Sequence, residues 1–192
     1  MAKVSFKAHA RIKDIVGKDL INNNVDVQFN AGGYFSLTAM SVAIYSENEM
    51  AVYALLNSKK MGNINAYLNL ACNFNNIQII KYLYEFGADV NYVDEKGYNC
   101  IMYATSFSTI DIMHYLIDKN VDVNIGRRLG DGATALILAI YVQDIDKINI
   151  LLQAGANKNV VNVGCETPYE IAKRYSQRLD DNQRQRLLEL LK

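Results

Sequence analysis

The 192-residue chain has a single proline, no tryptophan, two histidines and three cysteines, and its 20 basic residues are matched by 20 acidic ones. Each shortage removes a class of protein. With a formal net charge of +0, no global field draws the chain to nucleic acid or to an anionic membrane, so electrostatic recognition has to come from local patches. There is no run of about 18 apolar residues, and Arg11, Lys13 and Asp14 interrupt the apolar residues near the N-terminus. Neither membrane insertion nor a secretory signal is expected. Cys72, Cys100 and Cys165 are odd in number and far apart, with no CxxC pair and no neighbouring histidine, so they are expected to be reduced structural thiols and not a zinc site. Asparagine is abundant, yet no Asn-x-Ser/Thr acceptor occurs, which agrees with a reducing, intracellular, cytoplasmic setting.

Apolar residues are plentiful: 51% hydrophobic against 21% charged is enough to bury a substantial core, and one domain is the default. The chain is also self-similar. An equivalent alanine recurs at Ala71, Ala104, Ala139 and Ala172, at intervals of 33 (104 − 71), 35 (139 − 104) and 33 (172 − 139). Ala104 closes Asp94-Glu-Lys-Gly97-Tyr-Asn-Cys-Ile101-Met-Tyr-Ala104, which is followed by Ile110-Asp-Ile-Met-His-Tyr-Leu116-Ile and then Asn120-Val-Asp-Val-Asn124. Helix openings read Thr134-Ala-Leu-Ile-Leu-Ala139 and Thr167-Pro168-Tyr-Glu-Ile-Ala172, the latter placing the chain's one proline in a first turn behind a threonine able to cap it. Repeat ends read Gly87-Ala-Asp-Val-Asn91 and Gly155-Ala-Asn-Lys-Asn159, where glycine suits a helix that must leave through a left-handed residue.

This pattern resembles the ankyrin repeat, whose period is about 33 residues. The resemblance implies an all-α solenoid of stacked helix-turn-helix units joined by short hairpins. Six repeats are expected, near 1–28, 29–61, 62–91, 92–124, 125–159 and 160–192, in a single domain. The first is recognised from Leu20-Ile-Asn-Asn-Asn24-Val-Asp-Val27, which aligns with Leu116 to Val123, and the second opens at Thr38-Ala-Met-Ser-Val-Ala43. Only 28 residues separate Ala43 from Ala71 (71 − 43), so irregular geometry is expected between Asn57 and Ile64. Helix pairs are predicted near 66–86, 99–119, 134–154 and 167–192. The alanines and Leu83, Leu116 and Leu151 are expected in the core. Arg184, Arg186 and Lys192, interspersed with Leu187-Leu188 and Leu190-Leu191, suit a capping helix with one wet face.

A search for catalytic groups finds none, and no cofactor or metal is expected. His114 stands at a variable position of a second helix and His9 several repeat layers away, Gly32-Gly33 and Gly130-Asp131-Gly132 read as turns without a phosphate-loop pattern, and Asp180-Asp181 reads as a loop. The informative positions are two and three residues beyond the repeated alanine, where the family presents variable residues on its concave binding face. They hold Tyr45-Ser46, Asn73-Phe74, Ser106-Phe107, Tyr141-Val142 and Arg174-Tyr175, one aromatic in every repeat. Tyr45, Phe74, Phe107, Tyr141 and Tyr175 are therefore candidate partner contacts, with Tyr98 and Glu95-Lys96 on the adjoining hairpin extending the surface. Packing against the next repeat is the alternative. Arg127-Arg128, with Lys173-Arg174 one repeat on, is a candidate basic corner for an acidic partner or for phosphate. The resemblance implies a monomeric, non-catalytic module that binds another protein, adaptor-like or inhibitor-like. The AT-rich-genome composition suits a host-directed protein of an intracellular bacterium or a virus. Phosphate or nucleic-acid binding through the basic corner is the second reading, against which the zero net charge counts.

Overall fold

A computed structural model of the chain describes residues 29–30, 36–58, 62–127 and 130–192, in which lie ten α-helices, one 3₁₀ turn and a ribbon of two residues per strand. The fold is all-α apart from that ribbon, as the repeat predicts. The expected first repeat with His9, the Gly32-Gly33 turn, part of the shortened 57–64 connection, and Arg128 lie outside the described residues. The chain divides into two compact units, Met1–Asp89 and Val90–Lys192.

In the first unit, β1 (Phe29–Asn30) and β2 (Ser36–Leu37) pair antiparallel with Phe29 opposite Leu37. Four helices follow: α1 (Ala39–Tyr45), α2 (Glu49–Asn57), α3 (Ile64–Asn73) and α4 (Ile77–Glu85). Each starts on a threonine or asparagine whose side-chain oxygen accepts a first-turn N–H: Thr38 from Ser41 at 3.1 Å, Asn48 from Ala51 at 3.0 Å, Asn63 from Ala66 at 3.3 Å and Asn76 from Ile79 at 3.0 Å. Helices of 7 to 10 residues are too short to persist alone. They are held by mutual burial: α1 packs on α2 and α3, and α4 on α2 and α3, around Ala43, Ile44, Val52, Leu56, Leu68, Ala71, Ile79 and Leu83.

The second unit repeats the scheme with α5 (Cys100–Phe107), α6 (Ile110–Asp118), α7 (Ala135–Val142), α8 (Ile145–Gln153), α9 (Pro168–Tyr175), a 3₁₀ turn at Ser176–Arg178 and α10 (Asp181–Leu191). First helices stack in the order α5, α7, α9, and second helices in the order α6, α8, α10. Ala104, Ala139 and Ala172 are fully buried where the first helices meet, and Leu116 and Leu151 are fully buried in the second helices. Helix α7 touches α5, α8 and α9, and every residue from Ala135 to Ile140 is buried. That explains an apolar run with no polar face, which is unusual for a helix in a soluble fold.

Turn chemistry follows the repeat. Gly87 (φ 93°) and Gly155 (φ 86°) leave their helices in the left-handed region, and Asn120 (φ 58°) does so where the glycine is replaced. Two repeat-ending asparagines link their repeat to the next: Asn91 Oδ1 accepts the Asp122 N–H at 2.7 Å, and Asn124 Oδ1 accepts the Asn157 N–H at 2.7 Å. At α9 the Thr167 hydroxyl accepts the Glu170 N–H at 3.3 Å while the Glu170 carboxylate accepts the Thr167 N–H at 2.7 Å, a reciprocal cap. Those hydrogen bonds hold the Glu170 carboxyl below its ordinary value.

Two sequence expectations change. Asp180-Asp181 is not an unpartnered loop: Asp180 accepts the Gln183 N–H at 2.8 Å and so caps α10, whose first residue is Asp181. Cys72 and Cys100 are not reduced thiols: both are fully buried and disulfide-bonded, and Cys165 alone is free and exposed. Spacing without a CxxC pair carries no information on which thiols oxidise. Replacing Ala104 by leucine should lower the urea midpoint of unfolding by the equivalent of about 1 to 3 kcal/mol, because added volume has no room where α5 meets α7. An unchanged midpoint would show that Ala104 is not interior.

Candidate partner-binding surface

The residue two or three positions past the repeated alanine is the last of its first helix or its C-cap, where the chain turns outward from the stack. Tyr45, Phe107 and Tyr175 are the final residues of α1, α5 and α9, Phe74 caps α3, and Tyr141 is the penultimate residue of α7. Their environments differ. Phe107 is 63% exposed, Tyr175 41% and Phe74 37%, whereas Tyr45 and Tyr141 are half-buried.

Around these first-helix ends the described rings meet in three sets. In the first unit, Phe74 and Tyr45 meet edge to face with centroids 4.7 Å apart. In the second, Tyr141 and Tyr175 are tilted at 4.9 Å, and Tyr103 bridges Tyr98 (5.0 Å) and Phe107 (6.5 Å). Aromatic pairs of this geometry stabilise by about 0.5 to 1.5 kcal/mol each. The rings thus pack against neighbours, as one alternative held, while Phe74, Phe107 and Tyr175 also keep part of their surface in solvent.

Electrostatics tie the second unit's rings to the hairpins. The Tyr103 hydroxyl donates to Asp94 Oδ2 at 2.7 Å, and Asp94 Oδ1 accepts the N–H groups of Lys96 and Tyr98, both at 2.9 Å. Burial first, and then this carboxylate, push the Tyr103 phenol well above its ordinary value. Burial likewise raises Tyr45 and Tyr141. Arg127 lies over the Tyr98 ring at 5.0 Å, donates to its hydroxyl, and pairs with Asp131 at 2.8 Å. Arg174 lies over Tyr175 at 5.2 Å and pairs with Glu166 at 2.9 Å. Each arginine of the expected basic corner that is described therefore carries its own carboxylate, and Lys173 is exposed. Beside Tyr141 and Tyr175 opens a cleft of about 450 Å³, lined also by Val142, Gln143, Arg174 and Gln177.

Sequence reasoning passed over three features. Tyr103 sits inside α5, one residue before the repeated alanine, and only its reach to Asp94 reveals its role. Val142 is 46% exposed beside the Tyr141–Tyr175 pair. On the second helices of the first unit, Tyr53 packs against Tyr82 at 5.3 Å and Phe86 at 6.0 Å, with Met50 79% exposed nearby in α2. The offset of 29 residues (82 − 53), shared with Tyr45 and Phe74 (74 − 45), was the available signal.

Comparison with known proteins agrees with this architecture. Family models described as "Ankyrin repeats (3 copies)" and "Ankyrin repeat" match residues 68–162 and 37–95. An ankyrin repeat protein of Acanthamoeba polyphaga mimivirus is 31% identical over 124 residues, 62% of this chain and 74% of the relative. The chain belongs to the ankyrin-repeat family. An ankyrin repeat protein of Fowlpox virus (strain NVSL) is 31% identical over 60% of this chain and 34% of the relative, and Alpha-latrotoxin-Lg1a of Latrodectus geometricus is 28% identical over 55% and 8%. The ankyrin-repeat chain thus spans about a third or less of the length of these last two. Ankyrin repeats are protein–protein interaction modules, and no helix of the described residues is long and apolar enough to cross a membrane.

The raised tyrosines predict alkaline sensitivity. An unfolded tyrosine ionises near 10.0 and Tyr103 above that, so the native state's advantage is complete below 10.0 and is lost as pH rises toward the folded value. Urea melts between pH 9 and 11 (roughly, bracketing a free phenol) should show falling stability, and Tyr103→Phe should flatten the fall. An identical pH profile in the variant would contradict the placement of Tyr103.

Proposed function

We propose that this chain is a non-catalytic, adaptor-like or inhibitor-like module that engages a partner protein through its first-helix ends and hairpins. Tyr45, Phe74, Phe107, Tyr141 and Tyr175 supply the anchors, with Tyr98 and Arg127 on the hairpins and Arg128, next in sequence, as a further candidate contact. The observation that carries the reading is the exposure of Phe74 (37%), Phe107 (63%) and Tyr175 (41%) at equivalent positions of three repeats, where packing alone would favour burial. Rings held on one edge by a neighbour and open on the other are suited to recognition, because little side-chain entropy is left to lose on binding. The viral source of two ankyrin-repeat relatives is in keeping with a host-directed role, exercised in this proposal by a monomer in the cytoplasm. Phosphate or nucleic-acid recognition has less support, since Arg127 and Arg174 are already paired with Asp131 and Glu166.

Capture from host lysate with mass-spectrometric identification names the partner, and the variant combining Phe74→Ser, Phe107→Ser and Tyr141→Ser then tests the surface. Affinity should fall by a few kcal/mol in all, as removal of aromatic anchors commonly costs about 2 kcal/mol or more each, without strict additivity. Circular dichroism should stay helical, with a midpoint lowered only by the aromatic pairings lost, about 1 kcal/mol apiece. An unfolded triple variant, or one that binds like the parent, refutes the reading. Affinity that collapses with added salt instead favours phosphate recognition.

A further inference from the structure

Three of the five first helices, α1, α3 and α7, end through a left-handed residue, whereas α5 and α9 do not, Ser176 (172 + 4) after α9 standing at φ −74°. Four residues past the repeated alanine, Glu47 (43 + 4), Asn75 (71 + 4) and Gln143 (139 + 4) all take the left-handed conformation, with φ of 53°, 61° and 59°. That turn returns backbone N–H groups to the last carbonyls, as in Asn48 N–H to Ala43 O at 2.9 Å after α1 and Asp144 N–H to Ala139 O at 3.2 Å after α7. The equivalent residue after α5, Ser108 (104 + 4), is extended at φ −112° and ψ 176°. There the Ser108 N–H returns to Ala104 O at 3.0 Å.

A second anomaly lies one repeat on. Eight residues past the repeated alanine, a second helix carries Ala51 (43 + 8), Ile79 (71 + 8) or Ile112 (104 + 8), all buried. At the same place α8 carries Lys147 (139 + 8), a charged side chain only 11% exposed. Its ammonium donates to Thr105 O at 2.8 Å and Ser108 O at 3.0 Å and stands 4.0 Å from Asp144 Oδ2, while the Asp144 carboxylate also accepts the Lys147 N–H at 3.1 Å. The two anomalies answer each other. A cation at a helix C-terminus meets both the last carbonyls and the negative end of the dipole, and here the two bonds bracket Phe107, the most exposed of the repeated aromatics.

We propose that Lys147 is a positioning residue for the binding surface: its ammonium closes the end of α5 in place of a left-handed turn and fixes the direction in which Phe107 is presented. The functional consequence rests on Phe107 being a partner contact. The local effect does not, and is measured without a partner. With 4-fluorophenylalanine at position 107, Lys147→Met keeps the stem and removes the charge. The fluorine resonance should broaden and shift, and amides of residues 107–109 should exchange roughly tenfold faster, the scale of one or two lost charge-assisted hydrogen bonds. Amides within α7 should keep their rates, and Lys147→Arg, which retains donors, should restore the parent signal. Unchanged fluorine and exchange signals in Lys147→Met, or equal acceleration throughout α7 and α8, overturn the proposal. Should Lys147→Met not fold, the parent decides: in ¹⁵N-lysine spectra the Lys147 ammonium protons should exchange slowly enough to be seen, and their absence would overturn it. If Lys147 holds Phe107 but Phe107→Ser leaves partner capture intact, the binding reading alone falls.

Discussion

Everything in this fold depends on burying helices that cannot stand alone. Helix α7 makes the point: six consecutive residues from Ala135 to Ile140 are buried, so it has no face to offer water and exists only between α5, α9 and α8. Short helices carry a nucleation cost that their few internal hydrogen bonds do not offset. Stacking is therefore part of secondary-structure formation itself, and small residues such as Ala104 and Ala139 are required where backbones approach.

The same constraint decides where recognition can be built. Residues inside the stack are committed to their neighbours, leaving helix ends and hairpin tips for everything else. There the rings of Tyr45, Phe74, Tyr141 and Tyr175 pair across repeats within their units, and Tyr103 links Tyr98 to Phe107. Arg127 and Arg174 lie over rings while paired with carboxylates, so the charge near these aromatics is locally balanced. A surface of this kind discriminates by shape and ring placement more than by net field, in keeping with a chain whose formal charge is +0.

Repeat proteins tolerate local departures when a neighbouring repeat supplies what is missing. The asparagines at Asn91 and Asn124 do this routinely, lending side-chain oxygens to the following repeat's backbone. Lys147 does it once, reaching back from α8 to carbonyls at the end of α5. The asparagine bonds tie exposed hairpin backbone between repeats, whereas Lys147 serves part-buried carbonyls, whose loss of a partner would cost about 1 to 3 kcal/mol each.

Much of this was legible in the chain. The alanine period, the Thr167-Pro168 opening and the glycines at 87 and 155 reflect local rules of capping and turn geometry, so they placed the helix pairs at 64–85, 100–118, 135–153 and 168–191 to within two residues of the predicted limits. The aromatic positions were legible for the same reason, since a period carries every residue to an equivalent place. What no period can express is how two residues from different repeats meet. The reach of Lys147 to Ser108 and that of Arg127 to Tyr98 are meetings of that kind, while the carboxylates beside Tyr103, Arg127 and Arg174 stand four to nine residues away in the same repeat and depend on how the hairpin places them. The sequence by itself determined the repeating unit, because helix ends answer to residues a few positions away; only the tertiary structure decided which side chains are exposed, paired or charged-and-satisfied, because those properties belong to neighbours some thirty residues apart, as with Tyr98 and Arg127.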